Sequence, residues 1–549
     1  MTTADAPLPQ PVPTGAQAEP VAASASPAPD REVEIKLELA PADWKRLSRH
    51  PLLKEALSGA GRTKRMEATY FDTPDQRLRA KGVSLRVRKT GAKFVQTAKA
   101  ADGPAAGLFD RAEYEAPVPG DAPDLALLDA TPLAPLFAKR KIRDRLAPAF
   151  AVTTRRRTLP VARDGFAAEM VVDEGLVTAG ERAEPFCEIE LELRAGAPAD
   201  LFRFARAIAE LVPARLGFRA KSDRGYALAA GDGPQVVKKI DVSLDPAMPT
   251  GAAFQAIARA CLAQLVANES ALRDLRAPGA VHQSRVALRR LRAAIALFKR
   301  VVEDDRRRAV SGELKWMAQA LGDARDLDVY IATVVEPLRA AHPDDADIAR
   351  VAEAFAARRD GAYAAALAAS ASERYRLMLV DVAAWIEAGD WLAAERPARE
   401  EPVGTFAARL LRKRAKRIRR EAAEIETLAP EARHEVRIEV KKLRYAVEFF
   451  ESAFTRQRAG EESGKRARKA GLRHATMLAA LEALQEDLGA LNDITVGATM
   501  AAGFEDPDPA LVRGLAKLAR PDAEEAAAAH LAAARKAAKR FTKAKPFWE

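Results

Sequence analysis

The chain has 549 residues, 48% hydrophobic and 30% charged, with a net charge of +11 and two cysteines, Cys187 and Cys261. That length exceeds one core and implies roughly two to four domains, while two distant cysteines exclude a disulfide framework and a thiolate zinc site. The basic balance favours polyanionic partners; with no run of about 18 consecutive apolar residues and no basic and apolar leader, the expectation is a cytoplasmic protein without a membrane partner.

Residues 1–30 are rich in Ala and Pro, with only Asp5, Glu19 and Asp30 charged. Such a stretch buries too little apolar surface to offset its ordering entropy, which predicts a disordered tail. From residue 32 to about 228 the dominant signal is period-two alternation. Val33, Ile35, Leu37 and Leu39 take one strand face and Glu32, Glu34, Lys36 and Glu38 the other. Similar segments lie at 84–88, 94–99, 111–115, 167–173 and 186–193, interrupted by helical stretches at 41–57 and 200–211. An antiparallel α+β domain over residues 31–230 is predicted.

The polar faces of these strands are nearly pure charge: Arg86 and Arg88; Thr97 and Lys99; Arg111, Glu113 and Glu115; Glu188, Glu190 and Glu192. On one strand this reads as a solvated face. Across five strands it points instead to a closed sheet with a charged interior. There Arg and Lys would clamp phosphate oxygens, and carboxylates would hold a hard divalent metal, Mg²⁺ or Mn²⁺.

In order along the chain, these residues resemble the CYTH family of triphosphate tunnel metalloenzymes. Its Glu-x-Glu-x-Lys signature stands as Glu32-Val33-Glu34-Ile35-Lys36. It is followed by YFDTPDQRLRAKGVSLRVRK at 70–89, TAK at 97–99, RAEYE at 111–115, EMVVDEG at 169–175 and EIELEL at 188–193. The resemblance covers about residues 31–228 and implies an eight-stranded antiparallel tunnel. It makes Glu32, Glu34 and Lys36 catalytic, places metal on Glu32, Glu34, Asp173, Glu188 and Glu190, and assigns phosphate to Lys36, Arg86, Arg88, Lys99 and Lys221. A further tunnel arginine falls among Arg155, Arg156 and Arg157, with Arg156 preferred. Glu192 shares the strand face of Glu188 and Glu190, so that trio is open to a shift by one pair.

Residues 231–249, containing Gly233, Pro234 and Pro246, read as a linker. Beyond them an all-α domain is predicted over 250–545, with a soft break near 395–402. It contains a duplication: His282-Gln-Ser-Arg285-Val-Ala-Leu-Arg289-Arg290-Leu291-Arg292 recurs as His434-Glu-Val-Arg437-Ile-Glu-Val-Lys441-Lys442-Leu443-Arg444, a shift of 152 residues (434 − 282). LGDARDL at 321–327 and LGALNDI at 488–494 follow in turn. On a helical wheel His282, Arg285, Arg289 and Arg292 share one face beside the apolar Leu288, Leu291, Ile295 and Phe298. The second copy repeats this with His434, Arg437, Lys441 and Arg444 beside Val440, Leu443, Val447 and Phe450. Cations stacked at i, i+3 or i+4 repel one another and stabilise nothing unless an anion sits between them.

These segments resemble the conserved-histidine α-helical domain, CHAD. The resemblance implies two pseudo-symmetric four-helix bundles, about 250–395 and 402–545, with the two ladders binding inorganic polyphosphate. The fusion points to hydrolysis of inorganic triphosphate by a metal-dependent enzyme. Thiamine triphosphatase, class IV adenylate cyclase and a non-catalytic polyphosphate-binding protein stand as alternatives. Nucleic acid is not an expected partner, and association with polyphosphate granules is a variant of the cytoplasmic expectation.

Overall fold

The computed structural model describes residues 30–100, 107–163, 165–456, 464–502, 504, 508–518 and 523–549. The tail expected at 1–30 lies, but for Asp30, outside the described residues, as do the side chains of Glu32, Arg111, Asn492 and Asp493.

Nine strands form the sheet: β1 (Asp30–Glu38), β2 (Arg62–Asp72), β3 (Val83–Thr90), β4 (Lys93–Ala100), β5 (Leu108–Val118), β6 (Ala147–Arg163), β7 (Phe166–Ala179), β8 (Arg182–Ala195) and β9 (Arg215–Leu216). They are ordered β5-β4-β3-β2-β6-β7-β8-β1-β9, and β1 also pairs antiparallel with β5 from Asp30↔Glu113 to Ile35↔Leu108. That pairing closes the first eight into a ring and removes the free edges. The two-residue β9 adds beside Leu37 and Glu38. The expected eight-stranded tunnel is therefore present with a short ninth strand.

β2 and β6 were not among the segments marked by alternation. β2 opens on Arg62-Thr63-Lys64-Arg65, all exposed, so no apolar face announces it. The helix expected over 41–57 is two helices, α1 (Pro41–Leu47) and α2 (Pro51–Ala56). Pro51 drives His50 to an extended backbone, ψ 142°, and His50 Nδ1 then accepts the Leu52 amide at 3.2 Å.

The barrel is inside-out. Ile35, Leu37, Ile189 and Leu191 point away from the lumen and are fully buried beneath Leu201, Phe202, Ala205 and Ile208 of α5 (Pro198–Leu211). On the opposite wall Val83, Leu85, Val87 and Ala98 are covered by Phe137 of α3 (Ala134–Phe137) and Ile142 of α4 (Arg140–Arg143). Each such large side chain contributes about 1.5–3 kcal/mol of burial, which allows the inner face to be given over to charge. α6 (Lys221–Ala230) packs across β6 and β7. Gly225 lies so close to the Phe150 ring that a Cβ there would sit 2.1 Å from it.

The helical half begins with α7 (Thr250–Ala267), α8 (Glu269–Leu275), α9 (Pro278–Leu297) and α10 (Arg307–Ala320). α11 (Gly322–Tyr330) runs through a π-helical turn into α12 (Glu336–Ala341), followed by α13 (Ala346–Ala371) and α14 (Glu373–Ala388). After the short α15 (Pro397–Glu400) come α16 (Val403–Ala423), α17 (Pro430–Phe449), α18 (Glu451–Thr455), α19 (Lys465–Ala502), α20 (Pro509–Lys517) and α21 (Ala523–Lys543). The repeats interlock through equivalent aromatics: Phe254 and Phe406, and Phe298 and Phe450, are related by the sequence shift. Phe298 lies 5.0 Å from Phe406 and 5.7 Å from Phe450, ring centre to ring centre. α20 crosses to pack on α13, placing Leu511 with Val351 and Phe355.

Residues 250–275 are long and apolar enough on composition to span a bilayer, with mean hydropathy 1.2. Here Phe254, Ile257, Leu262 and Leu265 are buried in the helical core instead. The two halves meet where α5 packs on α14, with Arg206 Nε donating to Asp381 at 3.0 Å.

Candidate active site in the barrel lumen

Strand register sets the site. Glu34 on β1 lies opposite Glu192 on β8, and Lys36 lies opposite Glu190. Glu188 faces Asp173 on β7, which faces Arg156 on β6. Lys221, the first residue of α6, enters the lumen from outside the sheet. Its ammonium reaches Asp173 at 2.8 Å, Glu190 at 3.0 Å and Glu188. Arg156 holds Asp173 with two bonds, 2.9 and 2.6 Å, and Glu190 at 2.8 Å. Lys36 contacts Glu190 and lies 3.1 Å from Glu34.

This buried set balances itself: Asp173, Glu188 and Glu190 against Lys36, Arg156 and Lys221. For Lys36, Lys221, Arg156, Glu190 and Asp173, burial opposes the charged form and the partners outweigh it. Glu190 and Glu34 raise Lys36, Asp173 and Glu188 raise Lys221, and Glu190 and Asp173 raise Arg156. In the same way Lys221 and Lys36 hold Glu190 well below the usual carboxylate range, and Lys221 and Arg156 depress Asp173.

The facing wall is looser. Arg86 on β3 lies 3.7 Å from Glu113 and 3.4 Å from the Tyr70 hydroxyl, Arg88 lies 3.1 Å from Glu115, and Lys99 on β4 lies 2.6 Å from Glu113. Burial and the neighbouring Arg86 push Arg88 below the ordinary guanidinium value. Between the walls is a cavity of ≈ 220 Å³ lined by Glu34, Lys36, Arg86, Arg88, Lys99, Arg156, Glu190, Glu192 and Lys221, among others.

The lumen therefore gathers Glu34, Lys36, Arg86, Arg88, Lys99, Arg156, Glu190 and Lys221. Among the three neighbouring arginines, Arg156 turns inward, while Arg155 and Arg157 are exposed. Glu32 sits on β1 opposite Arg111, with its side chain outside the described residues. Asp173 and Glu188 are 0% and 1% exposed and do not open on the cavity. Glu192 and Glu169 do, although neither was among the expected ligands. Register across β1, β8 and β7 places them in one row with Glu34, and the alternation alone left the phase of 188, 190 and 192 undecided. Tyr70, Thr97, Glu113 and Glu115 also line the lumen.

Two donor sets suit a hard cation. Asp173, Glu188 and Glu190 bring carboxylate oxygens within 4.8 Å of one another, and among the described residues Glu188 Oε2 is buried without a hydrogen-bond partner. Lys221 already occupies their centre, however. The cavity-facing row is only partly matched: Arg194 lies 2.6 Å from Glu192 and 3.4 Å from Glu169, yet burial, with Glu169 and Glu34 nearby, pushes the Glu192 carboxyl up. A divalent cation would relieve that repulsion.

In the helical half, the ladders lie on α9 and α17. Arg285 packs against Gly322, where a Cβ would be 3.0 Å from its guanidinium, and Arg437 lies near Gly489 in the second copy. Burial and the surrounding Arg325, Arg289 and Arg285 lower His282 to about 4, so it is neutral at pH 7. Arg444 is engaged within the protein, donating to Gln485 at 2.9 Å and Glu448 at 2.7 Å. Arg292 is half-buried, His434 exposed, and Arg289 and Lys441 partly exposed on the same helix faces.

Residues 30–226 match the model of the CYTH domain and residues 256–502 that of the CHAD domain. A curated relative, an inorganic triphosphatase from Haemophilus influenzae, is 29% identical over 164 residues, 30% of this chain; the chain spans 45% of that relative's length. Among solved structures, the CHAD domain from the plant Ricinus communis is 26% identical, covering 55% of this chain and 97% of that one with a TM-score of 0.44. PptA from Streptomyces chartreusis is 20% identical, covering 53% and 99%, with a TM-score of 0.37.

Proposed function

We propose that this chain, in which a CYTH domain is joined to a CHAD domain, is a metal-dependent hydrolase that cleaves inorganic triphosphate to pyrophosphate and phosphate. The observation that carries the reading is the lumen itself, where seven cations and a row of carboxylates converge on ≈ 220 Å³. A drug-sized or nucleoside-bearing ligand needs about 300 Å³ or more with apolar walls. The lining here offers charge and almost no surface for a base, which favours a bare phosphate chain over ATP or thiamine triphosphate.

Arg86, Arg88 and Lys99 would grip the phosphate oxygens from one wall, and Lys36 and Arg156 from the other. Glu34, Glu190 and Glu192 would hold Mg²⁺ or Mn²⁺, with Glu32 on the same strand face. This shifts the expected donor set by one pair and leaves Asp173 and Glu188 to fix Lys221 and Arg156. The bound metal supplies charge neutralisation for the phosphate oxygens. Water attacks the terminal phosphorus, the bond to the bridging oxygen breaks, and pyrophosphate leaves. Glu169, which faces the cavity outside that donor set, can take the proton of the attacking water.

The helical half would bind inorganic polyphosphate on the ladders. Like-charged side chains stacked on one helix face around a neutral His282 support that part, because an anion bridging them would offset their mutual repulsion. Phosphate release by the full chain from tripolyphosphate, ATP and thiamine triphosphate, with Mg²⁺ or Mn²⁺ and with EDTA, tests the reading. Turnover of tripolyphosphate at least tenfold above the other two, abolished by EDTA, is expected; preference for either of the others would overturn it.

A further inference from the structure

A second basic cavity lies beyond the carboxy-terminal end of α17, past the last residue of the second ladder. It measures ≈ 320 Å³ and is formed by Phe454 of α18 and Arg456, by Arg466, Lys469 and Arg473 of α19, and by Phe547, Trp548 and Glu549 at the end of the chain. From His434 to the corner end of α17 is roughly 22 Å at 1.5 Å per residue, and from Arg444 about 8 Å.

The first turns of α19 carry Lys465, Arg466, Arg468, Lys469 and Arg473, and the first turn holds no acidic residue. A helix N-terminus bears partial positive charge, so cations there are at the unfavourable end. The first repeat provides an internal comparison. At the start of α10, Arg307 pairs with Glu303 at 2.9 Å and Arg306 with Asp381 at 3.6 Å. At the start of α19, Arg473 donates to the Pro546 carbonyl at 3.0 Å and Arg456 to Ser243 of the linker. Among the described residues Arg466 and Lys469 have no acidic partner. The one carboxylate side chain lining the cavity, Glu549, lies 3.7 Å from Arg412.

We infer that this corner is a second phosphate-chain contact, in which Arg466 and Lys469, with the amino end of α19 behind them, take phosphate oxygens of a polyphosphate that also occupies the ladders. The inference rests on the polyphosphate reading of the helical half. It adds that the chain passes the point where the linker from the barrel crosses α18, where Leu244 donates to Ser452 at 2.9 Å.

The test is calorimetric titration of the full chain with inorganic polyphosphate in EDTA at two salt concentrations. Arg466→Ala/Lys469→Ala is compared with the charge-matched exposed pair Lys299→Ala/Arg300→Ala in the first repeat. The corner variant should bind about tenfold more weakly, with the salt slope lower by about 1–2 units, while the control changes less than about twofold and tripolyphosphate turnover is unchanged in both. Equal losses in the two variants would mean diffuse charge only and sink the proposal. So would an unchanged corner variant beside a ladder variant, Arg285→Ala/Arg289→Ala, that no longer binds; the reading of the helical half would then survive without it. Absence of binding by the unaltered chain would overturn both.

Discussion

Replacing Glu190 with glutamine tests whether the buried charge set is the structural keystone of the lumen. Its carboxylate, 8% exposed, touches Lys36, Arg156 at 2.8 Å and Lys221 at 3.0 Å. Without it three buried cations face two carboxylates. Removing one partner from a buried pair costs about 3–5 kcal/mol. At about 2–4 °C per kcal/mol for a domain of this size, the barrel's melting transition should fall by about 6–20 °C. Scanning calorimetry of the full chain, with the barrel transition assigned by its response to tripolyphosphate in EDTA, reads this directly. Because an added anion replaces the lost charge, one fixed tripolyphosphate concentration should raise the variant's transition more than the parent's. A variant melting within about 2 °C of the parent, with the same ligand shift, would refute the keystone role.

Glu34→Gln, which removes a cavity-facing carboxylate, should lower kcat for tripolyphosphate at least about 100-fold and lower the melting temperature less than Glu190→Gln does, because Lys36 keeps its contact with Glu190. Retained turnover would contradict its placement. Lys99→Ala removes a charged phosphate contact worth about 1.5–3 kcal/mol, so KM should rise about 10- to 100-fold. Steady-state kinetics over a tripolyphosphate series will show it, and an unaltered KM would remove Lys99 from the grip. The folded pKa values of Asp173 and Glu190 lie below their unfolded ones. Their stabilisation is therefore complete above the unfolded carboxylate range near about 4 and lost as pH falls through the depressed values. Lys36 and Lys221 are raised, so their contribution is present at neutral pH and lost only as pH climbs through their elevated folded values. The barrel's melting temperature should be flat from about pH 6 to 8 and drop on acidification below about pH 4. A profile as high at pH 3 as at pH 7 would contradict the assignment.

Alternation exposed the barrel because its rule is simple: apolar residues outward under helices, charge inward. Val33 to Glu38 on β1 and the run at 188–193 on β8 follow it residue by residue. β2 escaped because its first four residues are exposed and polar, leaving no apolar face to read. The phase of Glu188, Glu190 and Glu192 could not be fixed from one strand, since all three share a face; only pairing with β1 and β7 shows which two look into open space. Lys221 is a different case. It reaches the lumen from a helix, and no periodicity in its own segment connects it to Asp173 or Glu188. The ladders of the helical half were legible because they occur twice at one spacing. Their tertiary partners, such as Gln485 and Glu448 for Arg444, were not.

How each ion pair is held also divides the lumen cations by role. Lys36, Arg156 and Lys221 are bound to carboxylates at hydrogen-bond distance and are fully matched in charge, so turning any of them wholly toward a ligand would strand a buried carboxylate. Their attraction for phosphate must act from fixed positions, which is the arrangement that costs least reorganisation as charge shifts during phosphoryl transfer. Arg86 and Arg88 are held differently: Arg86 is 3.7 Å from Glu113 and 4.0 Å from Glu115, and Arg88 donates at 3.1 Å to Glu115 alone, which is itself 42% exposed. Water can take over the carboxylate they release, so reorienting them onto a substrate forfeits little. The lumen thus pairs a rigid wall that defines where phosphate charge is stabilised with a mobile wall able to follow the chain as it enters and leaves. Substitutions on the rigid wall should appear mainly in kcat and stability, and those on the mobile wall mainly in KM.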